Sequence, residues 1–380
     1  MTTLDRPAIP AARYAERLGG AADAAGAAGL AALLIGVGPD LQYLTGYEAL
    51  PLERLTLLVV RPGHDPVLVA PRLEGAAARA GVRTPLDIRT WDETEDPYPL
   101  AVADVAGRPV AVSDSMAARH LLRLQAILGP ASPVTLASTV LRDLRMRKDP
   151  DEIALLRLAA LAADRVVAQI AAGRLVGRTE ADVSREVRER LVAEGHDEAT
   201  FAIVGSGPNS ASPHHEASDR VISGGDPIVL DIGGRLGGYG SDITRMVWVT
   251  GGDPSRRPDD RFLRLFAVLH AAQAAGLAAV RPGVTCGSLD AATRDPITAA
   301  GFGEAFIHRT GHGIGLEGHE DPYLVAGNPL LMAPGMAFSV EPGIYLEGVY
   351  GARIEDIVVC GEDGPIVLNQ APRELLVVDG

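Results

Sequence analysis

The sequence predicts an α+β protein of two domains, in which an α/β domain precedes a domain built from a duplicated helix–helix–hairpin unit. Three observations lead to this prediction. Short apolar runs alternate with helical patterns in the first third of the chain, long helical periodicity begins near Lys148, and the remainder repeats one plan. The chain has 380 residues, which is enough for two domains that each bury a core.

The first domain is predicted to span residues 1–147. Five segments have the apolar composition of short strands and are bounded by Gly, Pro or Asp: LAALLIGVG, RLTLLVVRP, PVLVAP, PVAVSD and PVTLAS. The segment MAARHLLRLQAIL has helical periodicity. No G-x-G-x-x-G spacing or P-loop lysine follows the first predicted strand, so we assign this domain no catalytic role of its own.

The second domain is predicted to span residues 148–380. The charged turn KDPDE introduces it, with Pro150 near the start of a helix. Long helices are expected at residues 151–172 and 259–280, where the apolar residues recur with helical spacing.

A repeated plan follows each of these long helices. A glycine turn leads into a capped helix, and Gly283 lies 110 residues after its expected counterpart, Gly173. A strand–turn–strand comes later in each copy, around Asp231 and around Glu341, again 110 residues apart. Two such hairpins, related by an approximate two-fold axis, would face each other.

Charge and cysteine content restrict the classes of function. The net charge is −14 and no run of five basic residues occurs, which excludes a nucleic-acid groove. Cys286 and Cys360 are the two cysteines, too few for a disulfide framework. The N-terminal segment lacks the apolar core of a signal peptide, and the apolar stretch at residues 24–38 is too short for a membrane span. We expect a cytoplasmic protein without a membrane partner.

The first hairpin, PIVLDIGGRLGGYGSDITRMVWV, has strand character at both ends and glycines at its centre. A turn at Leu236 and Gly237 would place Asp231 opposite Asp242. Cross-strand partners have Cβ atoms about 4.5–5.5 Å apart, and like charges at that distance destabilise a sheet. The pattern therefore predicts a cation between the two carboxylates.

The second hairpin, AFSVEPGIYLEGVYGARIEDIVV, repeats the arrangement. A turn centred on Gly348 places Glu341 opposite Glu355, and only Arg353 is placed nearby to neutralise them. Four carboxylates on two facing hairpins would span a pair of divalent cations about 3.5–4 Å apart. Asp356 should point to the opposite face from Glu355, so we do not expect it to be a ligand.

Three histidines, His308, His312 and His319, lie within the segment HRTGHGIGLEGHE. A lone histidine is more often structural, whereas three among glycines, which let the backbone approach a crowded centre, indicate a site. One imidazole added to carboxylates shifts the metal preference from Mg or Ca towards Mn, Fe, Co or Zn. Metal binding, proton transfer and packing stay open as roles for each histidine at this point.

These motifs resemble those of the pita-bread fold metallopeptidases, the family of proline dipeptidase, aminopeptidase P and methionine aminopeptidase. HRTGHGIGLEGHE, DIGG with GSDITR, SVEPGIY and GARIEDIVV carry the resemblance, which covers the chain from Lys148 onwards. The first domain, with LQYLTGY, resembles the creatinase-like domain of the proline-directed branch. Methionine aminopeptidases usually lack that domain, so the proline-directed branch is favoured.

The resemblance implies a set of metal ligands, of which Asp242 and Glu355 would bridge two divalent cations. The implied ligands are Asp231, Asp242, His312, Glu341 and Glu355. It also implies catalytic roles for His214 and His319 beside the metals and for Glu341 as the proton carrier. His308, one helical turn before His312, would line the substrate pocket.

The resemblance further implies hydrolysis of the Xaa-Pro bond in short peptides, as in an Xaa-Pro dipeptidase or aminopeptidase P. Two divalent cations per subunit are expected, with Mn²⁺ ahead of Co²⁺ and Zn²⁺, and a homodimer is expected by analogy. In several dipeptidases an arginine after the HE motif holds the substrate's carboxylate, whereas HEDPY places Tyr323 there. Tyr323 is predicted to contact substrate without a bidentate fork, and Arg220, Arg309 or a partner subunit's arginine are the candidate replacements.

Two alternative functions remain open at this stage. An amidohydrolase on the same scaffold, such as ectoine hydrolase, would also use a metal centre. A non-catalytic binding module with the pita-bread shape typically loses ligands, whereas all five residue types are intact here.

Overall fold

The computed structural model describes residues 6–380, which divide into two compact units. The first is Ile9–Arg145, and the second is Met146–Gly380 together with residues 6–8. The helices and strands of the first unit and its end are α1 (Ala11–Ala27), β1 (Ala32–Ile35), α2 (Pro39–Thr45), β2 (Leu57–Val60), β3 (Val67–Pro71), α3 (Gly75–Gly81), β4 (Asp87–Trp91), α4 (Pro97–Val102), β5 (Val110–Val112), α5 (Ala118–Leu128), β6 (Val134–Leu136) and α6 (Ser138–Met146).

One mixed sheet organises the first unit, with strand order β4-β3-β2-β1-β5-β6 among the described residues. The strands β1, β2, β3 and β5 are buried along their whole length. All five predicted strands and the predicted helix α5 are present. The strand β4 was missed because its sequence, DIRTW, is polar and largely solvent-facing, so it lacks the apolar run used to find the others.

The second unit contains the longer elements. They are α7 (Pro150–Ala171), α8 (Glu180–Ala193), β7 (Glu198–Ser206), β8 (Pro227–Leu236), β9 (Tyr239–Gly240), β10 (Ile243–Val249), α9 (Asp260–Ala279), α10 (Cys286–Ala299), β11 (Gly311–Gly313), β12 (Glu320–Leu324), β13 (Ala337–Val340), β14 (Gly343–Leu346), β15 (Tyr350–Arg353), β16 (Asp356–Cys360), β17 (Pro365–Val367) and β18 (Leu376–Val378).

Two five-stranded sheets form the frame of this unit within the described residues. One has the order β18-β10-β8-β7, with β9 paired to β8, and the other has the order β12-β11-β13-β16-β17. A separate two-stranded ribbon, β14-β15, extends the second hairpin. Apolar residues of α7 and α8 pack with β7, β8 and β10 in one core cluster, and those of α9 pack with β14 and β15 in another.

The duplicated plan is visible in the capping of the four long helices. α7 and α9 begin after Asp149 and Asp259, whose carboxylates accept hydrogen bonds from backbone N–H groups of the first turn. α8 and α10 begin after Thr179 and Thr285, whose hydroxyls do the same. Side chains of these types satisfy N–H groups that otherwise lack a partner at a helix start, so both copies begin their helices by the same chemistry.

The predicted match of Gly173 with Gly283 was wrong by four residues. Gly177 is the counterpart of Gly283, because each lies two residues before a capping threonine and each has positive φ, 81° and 83° respectively. Glycine adopts this conformation without the strain that a Cβ would cause. The loop from α7 to α8 is longer than the loop from α9 to α10, so the offset of 110 residues between the two copies does not hold across these loops.

One helix, α9, is long and apolar enough to cross a membrane by length and composition alone. Its residues Phe262, Leu265, Phe266 and Leu269 are buried in a core cluster with strands of the same unit. The apolarity of α9 is therefore that of a core helix.

Candidate active site

The first hairpin joins β8 and β10 in an antiparallel pair, in which Asp231 lies opposite Thr244. The prediction that Asp231 lies opposite Asp242 was therefore wrong. The turn is formed by Gly237 and Gly238, both with positive φ, one residue further along than predicted. Two consecutive residues with positive φ are what a two-residue hairpin turn of type I′ requires. Asp242 consequently precedes β10 and lies diagonally across from Asp231.

The second hairpin has the predicted register. Val340 pairs with Asp356 on one side and Gly343 pairs with Arg353 on the other, which places Glu341 and Glu355 at the junction between the two ladders. These two glutamates interrupt the regular strand pairing, so the sheet does not determine the direction of their side chains.

A bridge between Thr244 and Glu355 brings the two hairpins together. The Glu355 N–H donates to the Thr244 carbonyl at 3.2 Å, and the Thr244 hydroxyl donates to Glu355 Oε2 at 2.7 Å. Thr244 thus provides the contact between the two hairpins that the duplicated plan predicts. Acidic residues from both copies of the plan meet at this bridge.

His312 reaches the same place from β11, a three-residue strand held between β12 and β13. A Cβ at Gly311 would lie 1.9 Å from the Ser339 carbonyl oxygen, and one at Gly313 would lie 2.2 Å from that of Asp321. Both glycines are therefore needed for the neighbouring backbones to approach so closely. The Nδ1 atom of His312 lies 3.1 Å from the Gly313 carbonyl, a bond that leaves Nε2 as the ligand atom.

Asp242, His312 and Glu355 present ligand atoms that all lie within 4.8 Å of one another. Glu341 adjoins this group, with Oε1 3.2 Å from His312 Nε2. Asp231 is bound through its Oδ2 atom by the guanidinium of Arg353. All five implied ligands, Asp231 included, line one cavity, and all lie on strands or strand junctions of the second unit.

Three carboxylate oxygens of this group are buried without a hydrogen-bond partner among residues 6–380. They are Asp231 Oδ1, Asp242 Oδ1 and Glu355 Oε1. A buried polar atom left in this state is costly, and buried charges are normally paired or bound to a metal. Carboxylates with one imidazole form a donor set that suits divalent cations of the Mn, Co and Zn type. The residues therefore fit the metal centre that the resemblance implies.

The pKa values of the carboxylates reflect the same crowding. Burial raises the pKa of Asp242 and of Glu355 well above the ordinary range, and repulsion from neighbouring carboxylates adds to the effect. Burial also raises the pKa of Asp231, against the opposing charge of Arg353. For Glu341 burial acts in the same direction, but the hydrogen bond and electrostatic interaction with His312 outweigh it and lower the pKa to about 2.

The cavity above the cluster has a volume of about 890 Å³, which is within the usual range for small-molecule sites. His214, His308 and His319 line it, so the three predicted pocket histidines all face the same space. Apolar side chains form part of the wall, among them Phe201 and Ile307.

His319 stacks against His312, with ring centroids 3.8 Å apart. Burial is the largest cause that lowers the pKa of His319 to about 4, and the nearby His312 and Arg309 act in the same direction, so its ring is neutral at neutral pH. Arg309 donates a hydrogen bond to His319 Nδ1 at 3.1 Å. An accepting Nδ1 fixes the tautomer, and the proton then resides on Nε2.

His308 and Tyr323 differ from their predicted settings. His308 lies in an irregular segment before β11, so its expected position one helical turn before His312 was wrong. Its Nε2 contacts the Tyr345 hydroxyl at 2.9 Å. Tyr323 is not among the residues that line the cavity, and its ring lies 4.3 Å below the guanidinium of Arg309. Tyr323 therefore supports Arg309, and its predicted contact with substrate remains a prediction.

A residue that the sequence did not single out, Glu180, holds the loop that carries His214. Its carboxylate accepts bonds from the N–H groups and hydroxyls of Ser206 and Ser218, from Asn209 and from His215 Nε2 at 2.7 Å. Burial alone would raise the pKa of Glu180, but these donors lower it to about 2. An acidic residue in the first turn of a helix is usually explained by the helix dipole, so the position of Glu180 in the sequence did not indicate that it holds this loop.

Comparison with known proteins identifies the family of this chain. Residues 154–362 match the model of metallopeptidase family M24, and residues 17–147 match the creatinase/prolidase N-terminal domain. The chain is 50% identical over 370 residues to the probable dipeptidase PepE of Mycobacterium tuberculosis, covering 96% of each chain. It is 33% identical over 346 residues to the Xaa-Pro dipeptidase of Lactobacillus helveticus, covering 89% of this chain and 92% of that one.

Solved structures give the same result. The dipeptidase PepE of Mycobacterium ulcerans superimposes with a TM-score of 0.90 at 47% identity, over 97% of this chain and 99% of that one. A prolidase from Thermococcus sibiricus superimposes with a TM-score of 0.89 at 33% identity, over 96% and 99%. The predicted pita-bread fold with a creatinase-like first domain is confirmed. The chain belongs to metallopeptidase family M24 and is a peptidase.

Proposed function

We propose that the protein hydrolyses the Xaa-Pro bond of short peptides at a centre of two divalent cations. The observation that carries this proposal is the set of buried, partnerless oxygens on Asp231, Asp242 and Glu355 beside His312, among residues 6–380. Asp242 and Glu355 would both contribute to holding the two ions, as the resemblance implies, and their ligand atoms lie within 4.8 Å of each other.

Two divalent cations held there would lower the pKa of a water molecule and polarise the scissile carbonyl. The other residues that would hold the ions are Asp231, which Arg353 fixes, and the adjacent pair His312 and Glu341. Arg353 supplies a positive charge that prevents Asp231 from rotating away from the centre.

Glu341 is the proton carrier in this proposal. Its carboxylate lines the cavity beside His312 and would accept the proton of the attacking water. The proton then passes to the proline nitrogen, which must be protonated to leave as an amine. Ser339 donates a hydrogen bond to Glu341 Oε1 at 3.1 Å and so orients the carboxylate for both transfers.

His319 and His214 are the candidate donors to the substrate carbonyl oxygen. The neutral ring of His319 carries its proton on Nε2, because Nδ1 accepts from Arg309. A neutral donor fixed in this way stabilises the negative charge that develops on the carbonyl oxygen during attack. His214 lines the same cavity on the loop anchored by Glu180.

Preference for proline has a physical basis in the substrate and support from the relatives. An Xaa-Pro bond has no N–H, so a peptidase cannot clamp it through that donor and needs a wall for the pyrrolidine ring. Phe201, Ile203 and Ile307 supply apolar surface in the cavity. Relatives named Xaa-Pro dipeptidase, at 32–33% identity, support this substrate class.

The test is turnover of Ala-Pro, Ala-Pro-Ala, Ala-Ala and ectoine by protein that has been chelated and then supplied separately with Mn²⁺, Co²⁺ or Zn²⁺. We expect hydrolysis of the proline peptides only after metal is restored, and little of Ala-Ala. Cleavage of Ala-Ala at an equal rate would refute the Xaa-Pro assignment, and turnover of ectoine alone would favour the amidohydrolase. The choice of Mn²⁺, the homodimer and the cytoplasmic location stay predictions.

A further inference from the structure

We propose that Asp290 and Arg294, two residues of α10, position the irregular segment of residues 306–310. This segment in turn holds Glu341, the proton carrier of the proposed mechanism. The inference rests on the proposed Xaa-Pro hydrolysis and adds to it two residues that set the geometry of the site from outside. Neither Asp290 nor Arg294 lines the cavity, so both act as positioning residues and do not touch substrate.

The segment of residues 306–310 belongs to no strand, although it leads into β11 and carries Ile307 and His308 of the cavity wall. Carbonyl groups outside a sheet ladder need other donors when they are buried. The guanidinium of Arg294 supplies these donors: Nη1 donates to the Phe306 carbonyl at 3.0 Å, and Nη2 donates to the His308 carbonyl at 2.7 Å. One side chain of α10 therefore fixes the backbone on both sides of Ile307.

Asp290 holds both Arg294 and the end of the segment. Its side chain is 1% exposed and accepts from Arg294 Nε at 2.8 Å and Nη2 at 3.0 Å. Its Oδ1 atom also accepts from the N–H of Thr310 at 3.1 Å and from the hydroxyl of Thr310 at 2.9 Å. A buried carboxylate is costly unless it is paired and hydrogen-bonded, and bonds to a charged group are directional and strong. Asp290 therefore holds the guanidinium and Thr310 in one arrangement.

Thr310 connects this arrangement to the metal ligands. The Glu341 N–H donates to the Thr310 carbonyl at 2.8 Å, and Thr310 lies two residues before His312. Glu341 lies where regular strand pairing is interrupted, so the bond to Thr310 constrains its backbone in place of a ladder. A shift of Thr310 would move Glu341 relative to His312. Displacement of a reacting group by about 1 Å can cost about 100-fold in rate.

The first copy of the duplicated plan shows what this pair adds. α8 and α10 each have 14 residues and follow a capping threonine, so the counterpart of Asp290 is Ser184. The counterpart of Arg294 is Arg188. Ser184 and Arg188 form no ion pair with each other, and each donates to one carbonyl of β7, at 2.7 and 3.1 Å. The ladder with β8 already fixes the backbone of β7, whereas the segment of residues 306–310 has no ladder.

The experiment compares Asp290→Asn, Arg294→Lys and the matched control Arg188→Met with the wild type. It measures kcat and KM for Ala-Pro with Mn²⁺, and urea unfolding without metal. Asp290→Asn keeps the shape but removes the charge that orients Arg294, and it should lower kcat about 10- to 100-fold with a smaller change in KM. Arg188→Met should leave kcat within about twofold of the wild type, as expected for an exposed side chain.

Arg294→Lys separates positioning from a purely structural ion pair. Lysine keeps a positive charge beside Asp290 but lacks the fork that bonds the carboxylate and two carbonyls together. If the pair only stabilises the fold, lysine should restore stability and kcat together. The inference predicts instead that Arg294→Lys keeps most of the stability and still loses kcat about tenfold or more.

Hydrogen exchange of the metal-free proteins tests the inference without turnover. In Asp290→Asn and Arg294→Lys, the Glu341 N–H and the amides of residues 306–310 should exchange at least about tenfold faster, whereas those of β7 should not change. Wild-type kcat in Arg294→Lys, or wild-type exchange of the Glu341 N–H in both variants, would overturn the inference. If Asp290→Asn does not fold, Arg294→Lys alone decides. A wild type that cleaves no Xaa-Pro peptide, with exchange in the variants altered as expected, would overturn only the proposed function.

Discussion

Two groups of buried acids in the second unit differ in how their charge is satisfied. Glu180 and Asp356 are saturated: the first accepts bonds from the loop of residues 206–218, and the second is held by Arg245, Gln273 and Arg373. Asp242 and Glu355 are equally buried but each keeps one oxygen without a partner among the described residues. Glu355 and Asp356 are neighbours in sequence, at the junction before β16 and at its first residue, yet one fits a metal and the other is structural.

The difference shows what burial of a carboxylate implies. A saturated carboxylate stabilises the fold because its donors would otherwise be unsatisfied, and a bare one destabilises it until a cation binds. The pKa values of two of these acids shift in opposite directions: the pKa of Glu180 is lowered to about 2, whereas burial and repulsion raise that of Glu355 well above its usual range.

The most direct test of this comparison is to neutralise Glu355 and Asp356 separately. Glu355→Gln should lower kcat/KM by at least about 10³-fold, since several kcal/mol of charge stabilisation by the metal centre is lost. The metal-free variant should unfold at a temperature equal to or above that of the metal-free wild type, because repulsion from Glu341 and Asp231 is relieved. Steady-state kinetics and thermal unfolding in chelator measure both effects.

Asp356→Asn is the matched control at the adjacent residue. It should keep its metal but lose about 3–5 kcal/mol of stability, because Arg245 is left buried without its counter-ion. Metal-free Glu355→Gln that unfolds more easily than Asp356→Asn would contradict the distinction between the two acids.

Glu180→Gln tests the other saturated carboxylate, and its expected effect on stability is smaller. Every partner of Glu180 is a donor, so an amide NH₂ in its place opposes them, and about 2–3 kcal/mol of stability should be lost at neutral pH. Turnover should fall as well, because the loop that carries His214 loosens. Urea unfolding and kinetics check this, with Glu186→Gln, a partly exposed pair on the same helix, expected to cost less than about 1 kcal/mol.

The pH dependence of folding stability gives an independent test of the role of Glu180. Its folded pKa, about 2, lies below the ordinary value of 4.5, so its contribution is complete above about pH 4.5 and is lost as pH falls towards 2. The wild type should lose about 1–1.5 kcal/mol more than Glu180→Gln between about pH 5.5 and about pH 3.5. Parallel pH curves for the two proteins would show that the carboxylate is not the group responsible.

His196 is a third buried group whose protonation affects the stability of the fold. Its Nδ1 bonds the Leu191 carbonyl and its Nε2 lies 2.8 Å from Ser241 Oγ, next to Asp242. Burial lowers its pKa from 6.5 to about 4, so the unfolded chain takes up a proton that the folded one does not, and stability falls as pH drops below 6.5. His196→Gln should remove about 2 kcal/mol of the loss between about pH 7 and about pH 5, measured by urea unfolding. An unchanged slope would exclude His196 as its source.

Sequence patterns predicted much of this architecture because the decisive signals are local. Capped helices follow Asp149 and Thr179, and the single glycine of positive φ at Gly348 set the register of Glu341 and Glu355. The first hairpin has glycines at several adjacent positions, so local pattern did not fix which pair turns, and the register of Asp231 was wrong. The predicted domain boundary at residues 147 and 148 remains a prediction.

Other features depend on contacts between distant segments and left no local mark. Glu180 meets its donors 26 to 38 residues away along the chain. Asp231 binds Arg353 and not Arg309, and no local motif distinguishes the two arginines. His308 was misplaced because the spacing of four to His312 suits a helix as well as a loop. Spacing alone does not tell a helix from the short irregular segment that is present.

The most direct test of the central claim is the metal content of the chain by elemental analysis after chelation, dialysis against Mn²⁺ and removal of free ion. Convergence of Asp231, Asp242, His312, Glu341 and Glu355 on one centre predicts about two ions per chain in the wild type and fewer than one in Glu355→Gln. A wild type that retains no metal, or a Glu355→Gln variant that retains as much as the wild type, would contradict the account.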